Sequence, residues 1–222
     1  MRGARHRAGP ALRALLALPP TLGDRRLRRV GLLGGSFNPA HRGHLHVSLE
    51  ALKRLCLDEI WWMVAPQNPL KPVRGMASLS DRLAGARKLV HDPRIHVTDI
   101  EAQLGTRYTA DTLAALRRRF PRTRFVWLMG ADNLAQIRRW DRWRDIFALV
   151  PVAVFDRPTY CLRALSELPA QRFKRSRLLP GNTRCLADRT PPAWAFFPIR
   201  LDPSSATALR ARRGKAAATT RR

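Results

Sequence analysis

Residues 34–44 read GGSFNPAHRGH, from Gly34 to His44, directly behind the short apolar run Val30 to Leu33. An apolar run halted by paired glycines is the pattern of a buried strand ending in a tight turn. From Gly43 onward Leu45, Leu49, Leu52 and Leu55 recur at helical spacing, and Ile60 to Val64 form a second apolar run. Strand, glycine-rich turn, helix and strand in that order make the opening unit of a parallel sheet whose helices pack on its faces.

Further along the chain the unit repeats with less regularity. The spacing predicts a helix from Ser80, as its cap, to Val90, a short strand at Ile95 to Val97, and a helix over Thr109 to Arg119. Strands follow at Phe125 to Met129 and Val152 to Phe155. Alternation of this kind predicts an α/β fold, a Rossmann-like doubly wound parallel sheet in a single domain, with ligands at the carboxyl ends of the strands near the switch in strand order. Residues 160–192, with several Arg and Pro and no clear period, read as a loop-rich insert with room for one helix.

The net charge of +26 on 222 residues resembles that of a nucleic-acid binder, so its position matters. Residues 1–29 hold eight Arg against Asp24, and residues 210–222 hold six Lys or Arg with no acid, so the two ends supply 13 of those charges. The organisation expected is a basic arm over 1–29, a catalytic-type domain over 30–212 and a basic tail over 213–222, the ends reading as solvated arms rather than as a nucleic-acid surface. The charge left on the domain still suits anionic ligands such as nucleotides. Cys56, Cys161 and Cys185 show neither a CxxC pair nor a Cys/His spacing, which argues against a disulfide framework or a zinc site and for a reducing cytoplasm. The segment ALRALLALPP behind the first arginines faintly resembles a targeting sequence, but Arg13 interrupts it. No stretch approaches the ~20 apolar residues of a membrane span.

The turn itself suits phosphate. Glycines such as Gly34, Gly35 and Gly43 let backbone approach a polyphosphate, and the amides and positive dipole end of a helix start attract anions. His41 and His44, across the entry to that helix, can both donate to one phosphate. Taken singly, a glycine pair is only a turn, and paired histidines are more often surface or capping residues.

The combination GxFxPxHxGH, met at Gly35, Phe37, Pro39, His41, Gly43 and His44, resembles the signature of the nucleotidyltransferase superfamily, whose HxGH element binds ATP phosphates. The resemblance implies that Gly34, Gly35, Ser36, Phe37 and Gly43 bind ATP and that His41 and His44 are catalytic. Asn38 stands where many relatives carry Asp. Near the other end SSATALR, Ser204 to Arg210, resembles the superfamily's ISSTxIR element, with Ala206 replacing a hydroxyl residue. That likeness implies Ser205 and Thr207 at the nucleotide and Arg210 neutralising charge on the leaving pyrophosphate; an ordinary capped helix is the competing account.

Three middle stretches, PQNPLKP, RYTADTL and GADNLAQIRRWDRW, are similar to the nicotinate mononucleotide adenylyltransferase family in particular. The resemblance implies that Asn68 shapes a substrate loop and Lys71 contacts a phosphate, that Tyr108 and Thr109 lie by the pyridine carboxylate, that Gly130 and Asp132 lie near the nucleotide, and that Trp140 stacks on the pyridine ring. Solvated Lys71, Thr109 or Asp132 as plain helix caps, and core packing for Trp143, Trp61 and Trp62 are the alternatives. Arg82 and Arg157 match basic positions of the family in a chain where Arg is abundant. The chemistry implied is in-line attack of the mononucleotide phosphate on the α-phosphorus of ATP, with Mg²⁺ carried by the phosphates and no covalent enzyme intermediate. Nicotinamide mononucleotide or phosphopantetheine as acceptor, or a basic nucleic-acid-binding protein, are the readings set against it.

Overall fold

The computed structural model describes residues 24–67, 75–156 and 165–200. Six strands, β1 (Arg28–Gly35), β2 (Glu59–Val64), β3 (Ile95–Thr98), β4 (Thr123–Gly130), β5 (Val152–Phe155) and β6 (Trp194–Phe197), form one sheet in the order β3-β2-β1-β4-β5-β6. Every adjacent pair is parallel. The expected α/β Rossmann-like doubly wound sheet is therefore present, with its switch in strand order between β1 and β4.

Among the described residues seven α-helices cover the sheet: α1 (Arg42–Arg54), α2 (Leu79–Leu89), α3 (Ile100–Leu104), α4 (Thr109–Arg119), α5 (Ala131–Gln136), α6 (Trp143–Leu149) and α7 (Leu168–Arg172). Strand residues alternate between two apolar layers. Leu33, Ile60, Trp62, Val64 and Leu128 meet α1 and α2 on one face, whereas Leu32, Trp61, Met63, Trp127 and Met129 meet α3 to α7 on the other. Sheets buried on both faces need near-continuous apolar strands, which is why these segments are legible as runs rather than as alternation.

Three expectations change in detail. The second helix is capped by Ser78, whose hydroxyl accepts from the Asp81 amide, so Ser80 lies inside the first turn. The basic arm ends before residue 29, because Arg28 and Arg29 belong to β1 and Arg28 bonds both Glu59 (2.6 Å) and Asp24 (2.9 Å). The insert beyond residue 160 contains, among its described residues, α7 and two 3₁₀ segments, and β6 follows it where no strand is predicted. Residues 1–23 and 201–222, which contain most of both basic ends, lie outside the described residues.

Gly34 shows why the turn opens on glycine. A Cβ there would run into the six-membered ring of Trp127, which is 2% exposed in the facing layer. A rigid bicyclic ring within a packed layer cannot yield cheaply, so Gly34→Ala is expected to cost about 1–3 kcal/mol of stability. Urea unfolding measures this directly; an unchanged midpoint would show that the ring yields.

Candidate active site

The carboxyl ends of β1 and β4 open onto the crevice that a doubly wound sheet leaves at its switch point, and residues 36–44 and 130–132 leave the sheet there. In the turn after β1, Phe37 takes a left-handed backbone (φ 46°), which for a bulky residue persists only where packing holds it. Its ring supplies that packing, stacking on Trp62 at 5.1 Å and meeting His44 at 4.7 Å. Trp62 in turn donates its indole N–H to Ser48 Oγ (2.7 Å), and that hydroxyl donates to the His44 carbonyl (2.9 Å). A buried side chain of β2 thus fixes the first turn of α1.

His41 is the N-cap residue of α1 with extended backbone, is 7% exposed, and lies 3.8 Å from the His44 ring between centroids. The His41 backbone N–H donates to His44 Nδ1 at 3.2 Å. A ring nitrogen that accepts a backbone proton carries none of its own, so in the neutral imidazole the N–H is on Nε2 and that nitrogen is the ring's donor. Ser36 is 7% exposed, and its Oγ has no hydrogen-bond partner among the described residues.

Asn38 uses both ends of its amide, donating to the Gly75 carbonyl (3.2 Å) and accepting from the Ala77 N–H (3.3 Å). An Asp at this position could accept but not donate. Arg82, on α2, is 3% exposed and donates to four backbone carbonyls: Ser36 (2.7 Å), Ala65 (2.7 Å), Pro66 (2.8 Å) and Ala77 (3.0 Å). Burial lowers its pKa from the ordinary arginine value, yet it stays cationic at any pH the fold survives.

The second part of the site surrounds the start of α4. Tyr108, not Thr109, is the N-cap residue, without a side-chain cap, and Thr109 is the first helical residue, so the plain-cap account of Thr109 does not hold. Thr112 Oγ1 donates to the Tyr108 carbonyl (3.2 Å) and lies 2.8 Å from Thr106 Oγ1. Behind them Glu101 is 8% exposed; burial pushes its carboxyl up to about 7, against a smaller opposing effect of its bond to Thr112. Gly130 is the N-cap residue of α5 and Asp132 lies within its first turn, so Asp132 is not the cap either.

Trp140 closes the 3₁₀ turn Ile137–Arg139 half-buried, edge-on to Trp127 at 6.3 Å. Arg142, in the left-handed region, bonds Asp111 of α4 at 2.6 Å and Asp141 at 2.9 Å, tying the Trp140 segment to the helix that Thr109 begins. Trp143, Trp61 and Trp62 are core residues, as packing alone requires. Asn68, Lys71, Arg157, Ser205, Thr207 and Arg210 lie outside the described residues. What sequence reading misses is the support: Arg82 as a hub, Glu101, and the Asp111–Arg142 pair. Arg82 offers its match to a basic position of the family, and Glu101 offers its place between the apolar residues Ile100 and Leu104.

A family model described as Cytidylyltransferase-like matches residues 32–212, so fold and turn together define a cytidylyltransferase-like protein. A relative from Cereibacter sphaeroides named "Probable nicotinate-nucleotide adenylyltransferase" is 57% identical over 182 residues, 82% of this chain and 96% of that protein. One from Parvibaculum lavamentivorans with the same name is 55% identical over 186 residues, 84% and 92% of the two chains. The chain belongs to the nicotinate-nucleotide adenylyltransferase family. Among solved structures, Plasmodium falciparum nicotinic acid mononucleotide adenylyltransferase complexed with NaAD superposes with a TM-score of 0.60 at 16% identity, covering 83% of each chain. The same enzyme complexed with APC gives 0.58 at 15% identity and the same coverage. At such identities the likeness bears on the fold.

Proposed function

We propose that this protein transfers the adenylyl group of ATP to nicotinate mononucleotide, giving nicotinate adenine dinucleotide and pyrophosphate in NAD biosynthesis. The observation that carries the reading is the turn from Gly34 to His44. It sits at the switch point of the sheet with the His44 Nε2–H as donor and the Ser36 hydroxyl without a partner among the described residues, in a chain 57% identical to a named family member.

An oxygen of the mononucleotide phosphate attacks the α-phosphorus of ATP, the bond from that phosphorus to the bridging oxygen breaks, and pyrophosphate leaves. The nucleophile is already an anion, so the protein's work is positioning and charge stabilisation rather than proton abstraction. Gly34, Gly35, Ser36, Phe37 and Gly43 bind the ATP phosphates, and His41 and His44 donate to them. Arg210, with Ser205 and Thr207, takes the leaving pyrophosphate by the family pattern. Tyr108 and Thr109 bind the pyridine carboxylate, Gly130 and Asp132 the nucleotide, and Asn68 and Lys71 the substrate phosphates.

Among the described residues no group of three or more His, Cys, Asp or Glu could hold a metal ion. The turn offers donors, which suit phosphate and not a cation. Mg²⁺ therefore fits as a partner of the ATP phosphates, where it would neutralise charge on the leaving group. No described helix is long and apolar enough to cross a membrane; the cytoplasm is assigned on the cysteines, which form neither a CxxC pair nor a Cys/His spacing.

Trp140 stacks on the pyridine ring. Trp140→Ala is expected to raise the KM for nicotinate mononucleotide about tenfold, the worth of one aromatic pair, while the KM for ATP changes little. A rise confined to ATP would assign the indole elsewhere. The reading as a whole is tested by pyrophosphate release with ATP and Mg²⁺, offering nicotinate mononucleotide, nicotinamide mononucleotide and phosphopantetheine in parallel. Turnover strongest with the nicotinate compound supports it. Turnover only with another acceptor keeps adenylyl transfer and replaces the substrate, and silence with all three overturns both.

A further inference from the structure

Arg82 has the features of a residue kept for more than packing. It is 3% exposed, yet among the described residues no carboxylate pairs with it; its bonds go to the Ser36, Ala65, Pro66 and Ala77 carbonyls. A buried cation satisfied only by carbonyl dipoles is costly, and an apolar side chain of similar volume would fill the same space at lower cost. One of its two shortest contacts, at 2.7 Å, is to Ser36 in the turn after β1, 46 residues away in sequence.

That contact fixes a peptide plane. The Ser36–Phe37 bond is not among the cis peptides of the chain, and in a trans peptide the C=O and the N–H point in opposite directions. With the Ser36 carbonyl held on the buried guanidinium, the Phe37 N–H is turned the other way. Phe37 is 2% exposed, and its N–H has no hydrogen-bond partner among the described residues; the Ser36 hydroxyl, in the same dipeptide, has none either. Two buried donors left unsatisfied side by side are rare in a folded protein unless something else takes them, and the group that suits two donors beside a cation is an anion.

We infer that Arg82 is a positioning residue for ATP: by holding the Ser36 carbonyl inward it presents the Phe37 N–H and the Ser36 hydroxyl to the ATP phosphates. Without it the peptide is free to rotate and turn its carbonyl oxygen toward the same phosphates, replacing an attraction with a repulsion. The role rests on the adenylyl-transfer reading. It goes beyond that reading in naming a residue that touches no substrate and acts through the backbone.

Arg82→Lys separates orientation from charge, since an ammonium keeps the charge but its donors all radiate from one nitrogen and cannot span the four carbonyls. Arg82→Gln, which removes the buried charge, is the second variant should the lysine not fold. Both are assayed with the wild type for kcat, for the KM of each substrate, and for the thermal unfolding midpoint. The expected result is a KM for ATP raised about tenfold in both, the worth of one well-placed hydrogen bond to a charged group, with the KM for nicotinate mononucleotide within about twofold of the wild type. A lysine variant with normal ATP kinetics means that charge alone matters and overturns the inference. So does a loss shared equally by both substrates in a variant whose midpoint has fallen, because that is what a merely structural role produces. Wild-type turnover tests the adenylyl-transfer reading separately, so failure of one is not mistaken for failure of the other.

Discussion

Replacing His44 with alanine is expected to lower kcat about 10²–10³-fold while leaving the KM for nicotinate mononucleotide nearly unchanged, the range found when one preorganised donor to developing charge is deleted. The expectation follows from the tautomer. His44 Nδ1 accepts the His41 backbone N–H, so the proton of the neutral ring is on Nε2. The same imidazole stands in the first turn of α1, whose positive dipole end favours negative charge, and packs against His41 and Phe37, which limits its freedom before substrate arrives. A donor fixed in advance does its work where charge grows, at the α-phosphate and the bridging oxygen, and contributes little to holding the mononucleotide. Steady-state kinetics with both substrates varied measures this. Near-normal turnover, or a loss carried wholly in the mononucleotide KM, would remove His44 from the chemistry.

The parts of the molecule legible in the sequence are those set by local pattern. β1, β2, β4 and β5 read as apolar runs because a parallel strand covered on both faces has no polar side, and α4 reads from Thr109 to Arg119 as it is found. β6 escapes because it is only four residues, Trp194–Phe197, with no glycine turn and no helix pattern behind it to mark a βα unit. The turn from Gly34 to His44 is legible for the opposite reason, since eleven consecutive residues carry the whole pattern.

What supports the turn is not legible, since it comes from far along the chain. Arg82 reaches Ser36 across 46 residues, and although it matches a basic position of the family, nothing in the sequence tells that it is buried against the turn. Helix starts mislead in a similar way: Thr109 and Asp132 look like caps, but the cap positions fall to Tyr108 and Gly130. Neither side chain therefore stands at the cap position that the competing account gave it.

Glu101 carries the other large expected effect, and the sign decides how to look for it. Burial raises its carboxyl from the ordinary value of 4.5 to about 7, so between those values the unfolded chain ionises while the folded one stays protonated. The stability associated with the neutral carboxyl is fully present below pH 4.5 and is lost as pH rises through about 7. Above that, a displacement of this size corresponds to about 3 kcal/mol, with little to discount for solvent because the residue is 8% exposed. Glu101→Gln is neutral at every pH and keeps an amide that can bond Thr112. It is expected to be close to wild type in stability at pH 4.5 and more stable by about 3 kcal/mol at pH 8, read as the separation of urea midpoints at the two pH values. An equal separation at both would mean that the carboxyl is not held neutral by burial. The acid stands behind the proposed substrate contact: Thr112, whose hydroxyl opposes the rise in the Glu101 pKa, donates to the Tyr108 carbonyl, and Tyr108 and Thr109 are the residues proposed to meet the pyridine carboxylate.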